Sequence, residues 1–177
     1  MADPGLDTAA RAHPAYPSLS LPRVVALVGG ILLVSAFFMP WFSSQGLMLS
    51  GQFLHLFLSS PSDLRRFLPG SSGSPAEAQL LRALVDLFPV CGAVAFVAAL
   101  AGGLRRGWRI ATNVLLGLSG VIPLAGWAIG ITRLPPGANP EIGLWLIASA
   151  SLAVLIGLAL DALGPPRASE NQETMSK

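Results

Sequence analysis

The chain has 177 residues, of which 53% are hydrophobic and only 11% are charged, and its net charge at pH 7 is +2. Soluble domains carry about 25% charged residues, so this composition excludes an ordinary water-soluble domain. The small net charge gives no support for nucleic-acid binding. Because Cys91 is the only cysteine, an internal disulfide and a cysteine-based metal site are excluded as well.

Four long apolar runs dominate the sequence. A helix rises about 1.5 Å per residue, so roughly 20 apolar residues cross a hydrocarbon core of about 30 Å. The runs contain no Asp, Glu, Lys, Arg or His, and they predict transmembrane helices at about 24–42, 87–104, 110–131 and 142–160. The predicted fold class is an all-α membrane protein, a four-helix transmembrane bundle occupying residues 23–163.

The first run follows an N-terminal tail, residues 1–22, whose Pro, Ala and Ser content predicts flexibility. Arg11 and Arg23 precede the run, as basic residues precede the apolar part of a signal peptide. The run is long, however, and it ends in Pro40-Trp41-Phe42 without a small-x-small cleavage site. We therefore expect a retained transmembrane helix.

A long loop, residues 43–80, separates the first two spans. Residues 52–58 and 62–68 are apolar pieces too short to cross a membrane. We expect short interfacial helices here, lying on the membrane surface or against a partner. Ser74 and Glu77 then form a capping-box pattern that opens the next helix.

Basic residues predict the orientation of the bundle. Four spans place both termini on one side, and short loops rich in Lys and Arg face the cytoplasm. Arg105, Arg106 and Arg109 lie together in the short loop after the second span. We therefore expect a multi-pass protein of the plasma membrane, with the N-terminus and the C-terminal tail, residues 164–177, in the cytoplasm. Ten arginines beside a single lysine, with much Ala, Gly, Pro and Leu, indicate a GC-rich bacterial genome, and hence a bacterial inner membrane.

The tryptophans are predicted to be interfacial anchors, because amphipathic indoles concentrate at membrane–water boundaries. Trp41, Trp127 and Trp145 are expected at the outer boundary, and Trp108 at the inner one. An aromatic cage for a cationic ligand is the alternative.

Small residues four positions apart predict close helix contacts, because helix packing in lipid depends on close backbone approach. The contacts can join helices of one bundle or helices of two subunits. The positions are Ala95, Ala99 and Gly103 in the second span, Gly126 and Gly130 in the third, and Ser149, Ala153 and Gly157 in the fourth.

The acidic residues closest to the spans lie just outside them, where ion pairing and the helix dipole suggest structural roles. The expected neighbours are Arg82 for Asp86, Arg133 for Glu141, and cytoplasmic water or Arg167 for Asp161.

His55 is the one histidine close to the predicted membrane region. Imidazole can ligate a haem or a chlorophyll-type pigment, and a structural histidine on an apolar face is the alternative. No phosphate loop, nucleophile elbow or zinc signature is present in the sequence. We expect no catalytic residues, no metal site and no cofactor other than bound lipid or pigment.

The Pro40-Trp41-Phe42 ending, the long outer loop and Gly143-Leu144-Trp145-Leu146 at the start of the fourth span resemble small uncharacterised bacterial four-helix membrane proteins. The layout is also similar to that of claudin-type tetraspans, whose outer loop carries a Trp, a Gly-Leu-Trp motif and two cysteines. Here Gly46-Leu47-Met48 lacks the Trp and both cysteines are missing, so claudin function is not expected.

The leading functional hypothesis is a non-catalytic accessory or scaffold subunit of a larger bacterial membrane complex, of an energy-transducing or photosynthetic kind. It would bind partner subunits and lipid or pigment through the small-residue helix faces and the apolar outer loop.

Two alternatives remain open. A small oligomeric transporter or channel-like protein would need polar residues to converge inside the bundle, and a lipid-acting enzyme would need reactive side chains at the outer face. The first would use Ser35, Thr112, Asn113, Ser119 and Thr132, and the second His55, Asp63 and Glu77.

Overall fold

The computed structural model describes residues 20–44, 46–58, 75–104, 108–132, 134 and 137–163. Within them, four helices are long and apolar enough to span a membrane, which confirms the prediction of a four-helix, multi-pass type of chain. They are α1 (Leu21–Phe38), α3 (Pro75–Leu104), α4 (Arg109–Thr132) and α5 (Ile142–Leu163), and the shorter elements are β1 (Pro40–Ser44), β2 (Leu47–Ser50), α2 (Gly51–Phe57) and β3 (Asn139–Pro140). Both predicted tails, apart from residues 20–22, and the apolar piece 62–68 lie outside the described residues.

The four long helices form a ring. Helix α1 packs against α3 and α5, and α4 packs against the same two helices. Large Leu, Ile and Val side chains on the outside of the ring are exposed, including Ile31, Val97, Leu118 and Ile156. Such an apolar outer surface suits a lipid environment and would be costly in water.

Helix α1 makes the closest backbone contacts in the bundle. A Cβ atom on Gly30 would lie 2.8 Å from the carbonyl oxygen of Gly92 in α3, and one on Gly29 would lie 2.8 Å from the carbonyl oxygen of Ala150 in α5. No side chain fits at these distances, so glycine alone lets α1 pack backbone to backbone on both neighbours. The same face of α1 continues through the buried residues Ala26, Leu33 and Ala36.

An antiparallel three-stranded sheet, in the order β2-β1-β3, lies at one end of the bundle. β1 follows α1 directly, and the chain turns back into β2 at Gly46, whose φ of +82° favours glycine. β3 immediately precedes α5 and pairs with β1 through Phe42 and Ser43. We call this end of the bundle the sheet end, and the opposite end, where α5 finishes, the Asp161 end.

The prediction that the first helix continues to Phe42 is wrong. Helix α1 ends at Phe38, and residues 40–44 form β1 instead. Pro40 explains the early end, because proline has no N–H for the helix and forces the preceding residue into an extended conformation. Met39 accordingly has a ψ of 153°.

The start of the second long helix agrees with the predicted capping box at Ser74 and Glu77. Helix α3 begins at Pro75 and continues without a break into the apolar run predicted at about 87–104. Pro89 and Pro123 lie inside α3 and α4, and both helices continue through them.

We predict that Gly30→Ala lowers the free energy of unfolding by about 1–3 kcal/mol, because the new methyl group meets backbone that cannot yield. Gly117→Ala is the matched control, since a Cβ there would lie an ordinary 3.5 Å from Leu158. Alanine also has the better helix propensity, so the control should equal the wild type or exceed it. Unfolding of both variants in mixed micelles titrated with SDS measures the difference, and equal unfolding curves would contradict the packing described.

Candidate functional site

The Asp161 end holds a buried ion pair. Arg23 donates from Nη2 to Oδ2 of Asp161 at 3.1 Å, and the two side chains are only 3% and 9% exposed. Arg109 approaches the same carboxylate oxygen with Nε at 3.8 Å, and its Nη2 donates to the main-chain carbonyl of Asp161 at 3.4 Å. One carboxylate therefore joins the starts of α1 and α4 to the end of α5. We call Arg23, Arg109 and Asp161 the arginine cluster.

The arginine cluster was not predicted. Asp161 was expected to face water or Arg167, which lies outside the described residues. Helix α5 runs past its predicted end to Leu163, so Asp161 lies within a helix. Arg23 likewise lies within the first turns of α1. At Gly157 a Cβ would lie 2.6 Å from the carbonyl oxygen of Pro22, and this close approach of α5 to α1 brings the two charges within reach of each other.

Buried polar atoms without a hydrogen-bond partner concentrate at the Asp161 end. In the part of the chain that the structure describes, four such side-chain atoms occur, and three of them are Ser20 Oγ, Arg23 Nη1 and Asn113 Oδ1. Ser20 is the N-cap residue of α1 and makes no side-chain cap bond. Since buried polar groups are normally satisfied, this end has hydrogen-bonding capacity that the described residues do not use.

At the sheet end, His55 of α2 lies against the first half of α3. Its Nδ1 is 2.5 Å from Oδ1 of Asp86, and its Nε2 is 3.3 Å from Nη2 of Arg82. The neutral tautomer that carries hydrogen on Nδ1 satisfies both contacts, donating to Asp86 and accepting from Arg82. Both ring nitrogens are then engaged, so the contacts favour a structural role over the predicted haem or pigment ligation.

The acidic residues at this end have neighbours that the sequence did not predict. Arg82 reaches Asp86 through His55, and Glu141 accepts a hydrogen bond from the hydroxyl of Ser43 at 2.7 Å. Arg133 lies outside the described residues. No group of three His, Cys, Asp or Glu side chains within the described ranges is arranged to hold a metal ion.

Trp41 fills the core at the sheet end. The pairing of β1 with β2 shifts register between Pro40 and Phe42, and this bulge turns Trp41 toward the bundle, where it is 5% exposed. Its Nε1 donates to the carbonyl oxygen of Ala36 at 2.8 Å, and its ring packs edge-on against Phe88. The prediction that Trp41 is an interfacial anchor is wrong in this respect, because the indole is enclosed by protein. Space for it is left by two glycines, Gly51 and Gly143.

The other three tryptophans lie nearer the surface. Trp127 and Trp145, both at the sheet end, form a tilted pair with ring centroids 5.9 Å apart. Trp108, at the opposite end, is exposed. Their role as membrane anchors stays a prediction. The alternative of a common aromatic cage is not favoured by these contacts, since Trp41 packs on Phe88 instead.

Most of the predicted small-residue positions contribute to packing inside the bundle. Ala95, Ala99 and Gly157 are buried, whereas Ser149 is exposed and Ala153 is half-buried. A Cβ on Gly126 would lie 2.9 Å from the ring of Phe88, and one on Gly130 would lie 3.9 Å from Leu144. For Gly103 the packing lies outside what the structure describes.

Sequence reasoning missed Gly29, Gly30 and Gly92, the glycines at which the backbone of α1 meets the backbones of α3 and α5. The adjacent pair Gly29-Gly30 was the available signal, because two glycines inside a helix cost stability unless close packing requires them.

The polar residues of the transporter hypothesis do not line a path. The hydroxyl of Thr112 donates to the carbonyl oxygens of Trp108 and Arg109, and that of Thr132 to those of Ala128 and Ile129. A hydroxyl bonded to its own helix offers little to a passing ion. Ser119 is buried, and Ser35 and Asn113 are half-buried. The largest buried side chains of the bundle are mainly apolar and include Leu33, Leu116, Ile147 and Val154.

Of the three residues of the lipid-enzyme hypothesis, the structure describes the side chain of His55 alone. Asp63 and the side chain of Glu77 lie outside the described residues, and His55 is engaged by Asp86 and Arg82. An open apolar groove of about 150 Å³ lies between α3 and α4, with Cys91 and Ser119 in its lining. Its walls offer no charged group.

The contacts and the fold define a class: a four-helix bundle of membrane-spanning length that carries a small antiparallel sheet at one end. No protein-family model, no curated protein and no solved structure matches this chain. Neither resemblance suggested by the sequence therefore gains support from known proteins.

We predict that Asp161→Asn lowers the free energy of unfolding by about 3 kcal/mol, because it leaves Arg23 buried without a counter-charge. Arg109→Gln should cost at most about 1 kcal/mol, because its side chain is 53% exposed. The double variant Arg23→Met/Asp161→Leu should recover most of the loss, since apolar side chains can replace a buried pair. SDS-titration unfolding measures all three, and similar losses in Asp161→Asn and Arg109→Gln would contradict the buried pair.

We also predict that His55→Ala releases α2 from α3. Amide hydrogen exchange across residues 51–57 should become up to about fivefold faster, since a partly exposed hydrogen bond contributes about 1 kcal/mol. Gln52→Ala, at an exposed position of the same helix, is the control and should leave exchange unchanged. Unchanged exchange in His55→Ala would show that other contacts hold α2.

Proposed function

We propose that this protein is a non-catalytic membrane subunit that joins a larger membrane complex through its sheet end. The single observation behind the proposal is the division of the molecule into two parts. One is the closed bundle of four helices, and the other is an apolar surface at the sheet end, formed by β2 and α2, which we call the cap. In this proposal the protein spans a plasma membrane with both termini in the cytoplasm, and the sheet end faces the opposite side.

The closed bundle supports a structural role. Backbone contact of Gly30 with Gly92, and of Gly29 with Ala150, leaves no space between α1 and its neighbours for a solute. The hydroxyls of Thr112 and Thr132 are bonded to their own helices. In this proposal the protein contributes through the surfaces that it presents, because the described residues bring together neither a polar path nor a group of reactive side chains.

The cap supplies such a surface. Met48 in β2 is 70% exposed, Leu47 beside it is also exposed, and Phe53 projects from α2. Phe53 stacks on Phe57 with ring centroids 5.8 Å apart, and His55 holds the same helix on α3. Large apolar side chains on a fixed element outside the spans are typical of a protein interface.

The proposed orientation is supported by the basic residues. Arg23 and Arg109 both lie at the Asp161 end. In the sequence, Arg105 and Arg106 stand shortly before Arg109. Because arginine-rich short loops remain in the cytoplasm, the proposal assigns the Asp161 end to the cytoplasmic side and the cap to the opposite side.

The experiment is photo-crosslinking from a single cysteine. Cys91 is buried, and Cys91→Ala removes it as a background reaction. In that background, Met48→Cys carrying a maleimide-benzophenone probe tests the cap, and Leu118→Cys, exposed at mid-span, is the matched control. Irradiation in native membranes should give a protein adduct from Met48→Cys and none from Leu118→Cys.

Lipid adducts alone at Met48→Cys, together with a monodisperse monomer after gentle detergent extraction, would overturn the proposal. Adducts of two copies of this chain would replace a larger complex with a homo-oligomer and would also count against it.

A further inference from the structure

We propose that the Asp161 end binds the phosphate group of an anionic phospholipid, held by Arg23, Arg109 and Ser20. The inference is independent of the proposed subunit function, because it concerns the opposite end of the bundle and needs no partner protein.

Charge is the first observation. Two guanidinium groups surround one carboxylate oxygen, at 3.1 and 3.8 Å. Among the described residues Asp161 is the only acid at this end, since Asp86 and Glu141 lie at the sheet end. The described residues at this end therefore carry one positive charge in excess, close to the ends of three helices. Such a charge is costly near a hydrocarbon core unless an anion approaches it.

Unused donors are the second observation. Arg23 is 3% exposed, yet its Nη1 has no acceptor, and Ser20 Oγ is buried without a partner three residues earlier. Ser20 is the N-cap residue and Arg23 lies in the first turn of α1, an 18-residue helix whose N-terminus carries a partial positive charge. A water molecule would satisfy a donor but would not balance the charge, whereas a phosphate group does both.

The arrangement of the helices decides whether one phosphate group can contact both arginines and how it enters the site. Because Arg23 and Arg109 contact the same oxygen of Asp161, two oxygens of a single phosphate can approach both guanidinium groups. The side chain of Arg109 is 53% exposed and Arg23 lies behind it. We therefore expect the phosphate to enter along Arg109 and to bind Ser20 and Nη1 of Arg23 once the side chains that cover them have moved aside.

The phosphate is assigned to a lipid headgroup because the site lies at the ends of the long helices. Arg23 and Arg109 lie at the first turns, and Asp161 at the last turn, of helices long enough to span a membrane. These turns fall at the depth of lipid headgroups. Free inorganic phosphate has the same recognition chemistry, so the experiment must separate the two.

The test is native mass spectrometry of the full chain, equilibrated separately with phosphatidylglycerol, phosphatidylcholine and inorganic phosphate. Arg109→Gln and Ser20→Ala both leave the Arg23–Asp161 pair intact. Arg82→Gln, which removes the same charge at the sheet end, is the matched control. A hydrogen bond to a charged group is worth about 1.5–3 kcal/mol, so each of the first two variants should retain phosphatidylglycerol at least about tenfold more weakly, and Arg82→Gln should behave as the wild type.

Equal retention of phosphatidylglycerol by Arg109→Gln and Arg82→Gln would overturn the site. Equal retention of phosphatidylglycerol and phosphatidylcholine by the wild type would overturn its preference for an anionic lipid. Without lipid, inorganic phosphate could bind the wild type and fail to bind Arg109→Gln. That result would support the proposal only if phosphatidylglycerol then displaces the phosphate from the wild type. Failure of the lipid to displace it would overturn the lipid assignment.

Discussion

The close approach of α1 to its two neighbours is the constraint on which the bundle depends. Gly29 and Gly30 present bare backbone to α5 and α3, and Gly92 returns the contact from α3. In lipid, bringing helices together gives little hydrophobic gain. Tight van der Waals contact must therefore supply the free energy of helix association. With α1 fixed between α3 and α5, the fourth helix, α4, completes the ring on the opposite side.

Each end of the bundle is then closed by a different interaction. At the Asp161 end, Arg23 and Arg109 meet one carboxylate that lies between them on α5. At the sheet end, Trp41 turns inward from the bulge in β1, and β3 joins the same sheet. The first end carries unbalanced positive charge and the second carries exposed apolar side chains. This polarity is the physical basis for assigning lipid phosphate to one end and a protein partner to the other.

The four spans could be predicted from the sequence because apolar length alone identifies them. The strand at residues 40–44 could have been suspected, since Pro40 cannot continue a helix. The pairing of Arg23 with Asp161 could not, because the two are 138 positions apart and only the α1–α5 contact brings them together. The same holds for His55 and Asp86, whose proximity depends on how α2 folds back onto α3. Periodic patterns within one helix identified several packing positions, but not which helix each of them faces.

The packing of α1 is tested most directly by magic-angle-spinning NMR of the protein in lipid bilayers, with the glycines isotopically labelled. Backbone contact between α1 and α3 predicts a through-space cross-peak between Gly30 and Gly92, and replacing Gly117 with alanine should leave that cross-peak in place. A spectrum that shows the sequential contacts within α1 and α3 but no Gly30–Gly92 cross-peak would contradict the closed bundle. The division into a closed core and two functional ends would then have to be abandoned.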